Sequence, residues 1–115
     1  MPYAVVTSNV AEASVDYEGA LLAISKAVST ALGKPETYVM VQLNLGARMA
    51  FHGTLEPCAM IAIHSIGKID PTSNAKTAAQ LTETVSKALN VPVGRIFMNF
   101  DDVERSNWAM GGNTF

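Results

Sequence analysis

A chain of 115 residues has room for one domain with a real core and not for two. Its net charge of −2, with no Lys/Arg cluster, excludes nucleic acid and anionic membranes as partners, since both need a basic patch to supply affinity. Apolar residues make up 49% of the chain and charged ones only 16%, more than so small a domain can bury, so the surplus predicts apolar surface covered by other subunits, a homo-oligomer.

No apolar run approaches the roughly 20 residues that span a bilayer. No charged N-terminal region leads into an apolar stretch, so no signal peptide is visible, and the expectation is a cytoplasmic protein or one secreted without a signal. The single cysteine, Cys58, rules out an intrachain disulfide framework. Ile61 stands where the second thiol of a C-x-x-C redox pair belongs, which leaves Cys58 as a small buried residue.

In chain order, Tyr3 to Ser8 forms the first predicted strand, with Pro2 before it at a position that tolerates a missing amide hydrogen. In "SVDYEGALLAISKAVSTALGKP" the apolar set Leu21, Ile24, Val28, Ala31 and Leu32 recurs at three and four residues. That spacing predicts a helix capped by Ser14 or Asp16 and ended by Gly33. Tyr38 to Leu45 forms the second strand, and "GARMAFHGTLEP", with two glycines and a proline, forms a loop. Ala59 to Ile66 is the third strand. "PTSNAKTAAQLTETVSKALNVP" repeats the helical spacing with Ala78, Leu81, Val85, Ala88 and Leu89, starting at Thr72 or Ser73 and stopping at Asn90. Arg95 to Phe100 is the fourth strand. The last segment, "DVERSNWAMGGNTF", is too apolar for a free tail and is expected to dock on a neighbour as short strands.

The order is β-α-β twice, with shared punctuation. Gly33-Lys34-Pro35 precedes Tyr38-Val39 in one half, and Asn90-Val91-Pro92 precedes Arg95-Ile96 in the other. The prediction is one α+β domain over residues 1–115, built from two pseudo-symmetric β-α-β units. Each unit pairs its strands in parallel by a right-handed crossover, giving a four-stranded mixed sheet with two helices on one face. Val39, Val41, Leu43 and Leu45 oppose Tyr38 and Met40, so the second strand is apolar on both sides and the uncovered face is expected to meet neighbouring subunits.

Familiar catalytic patterns are thin. His52 and His64 lack carboxylates at ligand spacing and no nucleotide-binding loop is present, so neither metal nor cofactor is expected. His64 and Ser65 are adjacent on a strand and point to opposite faces, which rules them out as base and nucleophile. The N-terminus remains. Without Met1, Pro2 is a free secondary amine at the end of a rigid element. An ordinary α-amino group titrates near ~8 and is mostly protonated at neutral pH. Burial and a neighbouring ammonium both disfavour the cation, and an amine so lowered is a good general base. A proline that merely starts a strand looks the same in sequence.

Taken together, "MP" before a strand, "GKP" after the first helix, "MAFHGTLEPCA", "HSIGKI", "RIFMNF" and a terminal "NTF" closely resemble the macrophage migration inhibitory factor family of the tautomerase superfamily, from Pro2 to Phe115. The resemblance implies a homotrimer whose three sheets form an inner barrel wrapped by six helices, with sites between subunits. It implies Pro2 as the catalytic base in keto–enol tautomerisation of a small aromatic 2-oxo acid of the phenylpyruvate type, and isomerisation of D-dopachrome derivatives. By position, Lys34 matches the lysine that binds the substrate carboxylate and lowers the proline pKa. Ile66 matches a residue whose backbone amide donates to substrate, and Asn99 an asparagine supplied by the adjacent subunit. Tyr3, Tyr38, His64, Ser65, Phe97, Trp108, Met110 and Phe115 fall at positions lining the pocket.

Several positions depart from the animal pattern. Phe97 replaces a tyrosine whose hydroxyl reaches into the pocket, Trp108 replaces an aliphatic residue and Met110 a tryptophan. The arginine and aspartate that imitate a chemokine motif fall at Glu12 and Gly46, and Ile61 removes a thiol. These losses leave receptor binding unsupported. A cytokine-like or partner-binding protein with a vestigial pocket is the alternative.

Overall fold

The computed structural model describes all residues, 1–115. In chain order its main elements are β1 (Pro2–Ser8), α1 (Tyr17–Leu32), β2 (Met40–Asn44), β3 (Ala59–Ser65), α2 (Pro71–Leu89), β4 (Ile96–Asp102), β5 (Ala109–Met110) and β6 (Asn113–Thr114). Four strands form one sheet in the order β2-β1-β3-β4. The outer pairs are parallel, as a crossover within each β-α-β unit requires, and the central β1–β3 pair is antiparallel, so the two units run in opposite senses about a pseudo-twofold axis.

Each helix buries one stripe. Ala20, Ile24, Val28 and Leu32 recur every four residues on α1, and Thr77, Leu81, Val85 and Leu89 on α2. They pack on Ala4 and Val6 of β1 and on Ile61 and Ile63 of β3. Ala20 and Thr77 take places in these stripes that the sequence pattern assigned to Leu21 and Ala78, which are half-buried at the rim.

Helix ends follow side-chain chemistry. Asp16 caps α1 by accepting a hydrogen bond from the Gly19 amide at 3.2 Å, and Gly33 ends the helix in the left-handed region at φ 62°. On α2 the cap is Asp70, not Thr72 or Ser73. Pro71 has no amide hydrogen to leave unpaired and fits the first helical position, so the helix begins one residue after Asp70. Ser73 is the donor instead, giving its N–H to Asp70 at 2.8 Å and its hydroxyl at 2.9 Å.

Two strand ends also differ from expectation. Tyr38 closes a 3-10 turn with Glu36 behind Pro35, so β2 starts at Met40. Ile66 lies just beyond β3, in the turn that leads to α2. The C-terminal segment forms the expected short strands, and these pair with each other, Ala109 opposite Thr114 and Met110 opposite Asn113.

The face of the sheet away from the helices is uncovered by this chain. It is less uniformly apolar than expected, because β2 offers Gln42 and Asn44 beside Met40 and Tyr38 is not on the strand. Register places Met40, Tyr3, His64 and Asp101 in one row across it, and Gln42, Val5, Ala62 and Asn99 in the next.

Candidate functional site

The site begins where β1 begins. Pro2 is buried, and its partner across the antiparallel pair is Ser65 at the end of β3. Beside it opens a cleft of about 400 Å³, lined by Met1, Pro2, Tyr3, Tyr38, Trp108, Met110 and Phe115 among others. Nine of its eleven lining residues are hydrophobic, which suits a small aromatic molecule. The β5–β6 hairpin supplies the far wall, closed at its base by a hydrogen bond from the Phe115 amide to the Trp108 carbonyl at 3.1 Å.

Lys34 reaches this end of the sheet because Gly33 reverses the chain after α1. Its amide donates to the Ser29 carbonyl at 3.1 Å, its own carbonyl accepts from the Ser29 hydroxyl, and its Nζ donates to the Ile66 carbonyl at 3.3 Å. Partial burial, and then the Lys34 ammonium, hold the Met1 amine below the usual range of an α-amino group. The charge of Lys34 is therefore felt where the chain starts.

The turn after β3 is bonded on most sides. The Ser65 carbonyl accepts from the Val103 amide at 2.8 Å, the Ile66 carbonyl from Lys34, and the Gly67 amide donates to Asp102 Oδ1 at 3.1 Å. The Ile66 amide has no acceptor within the chain and stays available as a donor. Ser65 itself faces the helices, fully buried, with its hydroxyl unpartnered.

The other resemblance-derived positions lie elsewhere in the chain. His64 is on the open face of the sheet, its ring stacked on Tyr3 at 5.7 Å and its Nδ1 3.3 Å from Asp101 Oδ2. Asn99 sits opposite Ala62, which sits opposite Val5, so it is two strands across and three residues along from Pro2. By strand geometry that separation is roughly 14 Å, too far for one pocket. Phe97 lies further still along β4, where Phe51 meets it edge-on at 4.7 Å.

Sequence reasoning did not find two clusters. Arg95 stacks its guanidinium over Phe51 at 5.2 Å and donates to the Pro57 and Glu56 carbonyls at 2.8 and 3.0 Å, clamping the 46–57 loop beside Phe97. The second is Asp102 on the Gly67 amide. Both join residues more than thirty positions apart, and no local signal in the sequence marks them. No group of three or more His, Cys, Asp or Glu side chains is placed to hold a metal ion, and no helix is long and apolar enough to cross a membrane.

Two β-α-β units on one mixed sheet, with a proline heading the central strand beside an apolar cleft and a lysine, define a domain of the tautomerase type. The model of one family, macrophage migration inhibitory factor (MIF), matches residues 1–115, and the chain belongs to that family. Among curated relatives it is 36% identical to the macrophage migration inhibitory factor homolog of Brugia malayi and to the macrophage migration inhibitory factor of Rattus norvegicus, covering all of this chain and 99% of each. The structure of macrophage migration inhibitory factor from Oncomelania hupensis superposes with a TM-score of 0.93 at 31% identity, over 99% of this chain and 82% of that one. The Toxoplasma gondii protein of the same name superposes at 0.84 and 38% identity, over 99% and 98%.

Proposed function

We propose that this chain, with Met1 removed, is a phenylpyruvate-type keto–enol tautomerase whose general base is the Pro2 amine, with D-dopachrome derivatives as further substrates. The observation that carries this reading is the buried Pro2 at the head of β1, beside an aromatic-lined apolar cleft, at a chain start where burial and then the Lys34 charge lower the pKa of the Met1 amine. A neutral secondary amine takes a proton from the carbon next to the keto group, and the resulting ammonium returns it to the developing enolate oxygen. No electron is lost or gained, so the reaction calls for no cofactor.

Lys34 binds the substrate carboxylate and the free Ile66 amide donates a second hydrogen bond. Asn99 and Phe97 act from the adjacent subunit of a homotrimer. Their distance from Pro2 in the same chain supports this, as does an open sheet face on which Met40 and Phe97 are 66% and 63% exposed. Placement in the cytoplasm belongs to the same proposal.

The test is the Pro2→Gly variant of protein shown by intact mass to start after Met1. Loss of the base is expected to lower phenylpyruvate turnover about 10²–10⁴-fold. The particle mass in light scattering should remain that of three chains. Full activity in the variant refutes the mechanism. While Met1 is attached the Pro2 nitrogen is an amide with no usable lone pair, so the reading requires its removal. The alternative is a cytokine-like or partner-binding protein in which the pocket is vestigial, and partner capture that survives alkylation of the Pro2 amine identifies it.

A further inference from the structure

Resting on the tautomerase reading, we propose that Asp102 is a positioning residue of the site: it locks the Ile66–Gly67 peptide so that Lys34 and the Ile66 amide face the substrate carboxylate together. The Ile66 carbonyl and the Gly67 N–H belong to one peptide plane and point in opposite directions. Lys34 Nζ holds the carbonyl end at 3.3 Å and Asp102 Oδ1 holds the N–H end at 3.1 Å. With both ends bonded that plane cannot turn over, and the preceding plane, which carries the Ile66 N–H, is held at its Ser65 carbonyl by the Val103 amide at 2.8 Å, so the N–H keeps a fixed direction between two restrained peptides.

The turn needs such a lock. Gly67 at φ 77° and Lys68 at φ 63° are two successive residues in the left-handed region, and for Lys68 that conformation is strained. Strained backbone persists where surrounding bonds over-determine it. The Asp102 carboxylate, with the Val103 amide on the Ser65 carbonyl at 2.8 Å, provides that restraint from the end of β4. Asp102 is exposed and takes no part in the core, so its bond serves the turn alone. Its own charge is not needed for this, because only an acceptor oxygen faces Gly67.

Two variants separate the acceptor from the charge. Asp102→Ala removes the bond and is expected to raise the KM for phenylpyruvate about 5- to 20-fold, with kcat changed less than about twofold. Asp102→Asn keeps an acceptor oxygen and is expected to stay within about twofold of the parent in both. Amide hydrogen exchange supplies a readout free of activity: Gly67 should lose protection in Asp102→Ala and keep it in Asp102→Asn. An unchanged KM in Asp102→Ala overturns the proposal, and so does an Asp102→Asn variant as impaired as Asp102→Ala, since charge would then be the cause. Undiminished turnover in Pro2→Gly overturns the tautomerase mechanism instead, and leaves the Gly67 exchange result standing.

Discussion

Replacing Lys34 by Met keeps the length of the side chain and removes its charge, and two losses follow that pH can separate. The first is binding. A hydrogen bond to a charged group contributes about 1.5–3 kcal/mol, and for a half-exposed ammonium such as Lys34 the lower part of that range applies, roughly a 10- to 30-fold fall in kcat/KM. The second is the state of the base. Burial and then the Lys34 charge hold the Met1 amine low, and the same two causes are expected to act on the Pro2 amine one residue on; without Lys34 only burial remains, and the pKa is expected to rise.

A base must be neutral to act, so the acid limb of kcat/KM against pH moves to higher pH in the variant. The ratio of variant to parent therefore falls as pH is lowered and levels off above both pKa values, where only the binding loss is left. Stability of the Met1-bearing protein moves in a related sense. Its folded amine titrates below the unfolded value of 8.0, so the unfolded state binds more protons between the two. Stability rises with pH across that window, and the slope flattens in Lys34→Met. The assay is phenylpyruvate tautomerisation from pH 6 to 9 on protein beginning at Pro2, with thermal melts on the Met1 form. A ratio that does not change with pH, or a limb that moves down, refutes the role given to the Lys34 charge.

Other predictions concern the frame. Thr77 is fully buried on α2 with an unpartnered hydroxyl, so Thr77→Val, which keeps the volume, is expected to stabilise the fold by about 1 kcal/mol, seen as a rise in denaturation midpoint at constant slope. The Ser73 amide and then the Ser73 hydroxyl hold the Asp70 carboxyl below its ordinary value. The stability this gives is complete above pH 3.8 and is lost as pH falls through the lower folded value. Asp70→Ala should therefore flatten the acid side of the stability profile and leave the neutral side lower.

The parts of the fold legible in the sequence are those set by local periodicity. Ile24, Val28 and Leu32 repeat at four residues and could face a core only as a helix, and Leu81, Val85 and Leu89 do the same. Boundaries were less legible because single bonds decide them. Asp70 outcompetes Thr72 and Ser73 as cap since Pro71 can follow it, and the turn behind Pro35 removes Tyr38 from β2. At the site, Pro2 carried a chemical suggestion by itself, but Lys34, Ile66 and Asn99 came from motif positions and not from spacing. Asp102 and the Arg95–Phe51 clamp act across β3–β4 and across the 46–57 loop, so only the folded chain brings them to what they hold.

The pseudo-twofold fold raises the question of why the proposed site occupies only one end of the sheet. The two halves match at a constant separation of 57 residues: Tyr3, Ser29 and Met40 correspond to Met60, Ser86 and Phe97 in strand register and helix capping alike. At the far end the place of Pro2 is taken by Ala59, which sits within an unbroken chain and has no amine. The place of Lys34 is taken by Val91, buried in the core, and the place of Asp102 by the apolar Leu45. The place of Ile66 is taken by Asn9, whose side chain bonds the Leu55 and Glu56 carbonyls and the Cys58 amide and so ties the connecting loop to that end of the sheet. The pseudo-symmetry thus supplies two matching frames, and the proposed chemistry uses the one that Pro2 heads. Lys34 and Asp102 stand at the Pro2 end, and the apolar Val91 and Leu45 stand in their places at the other. In the proposed trimer this gives three sites, not six.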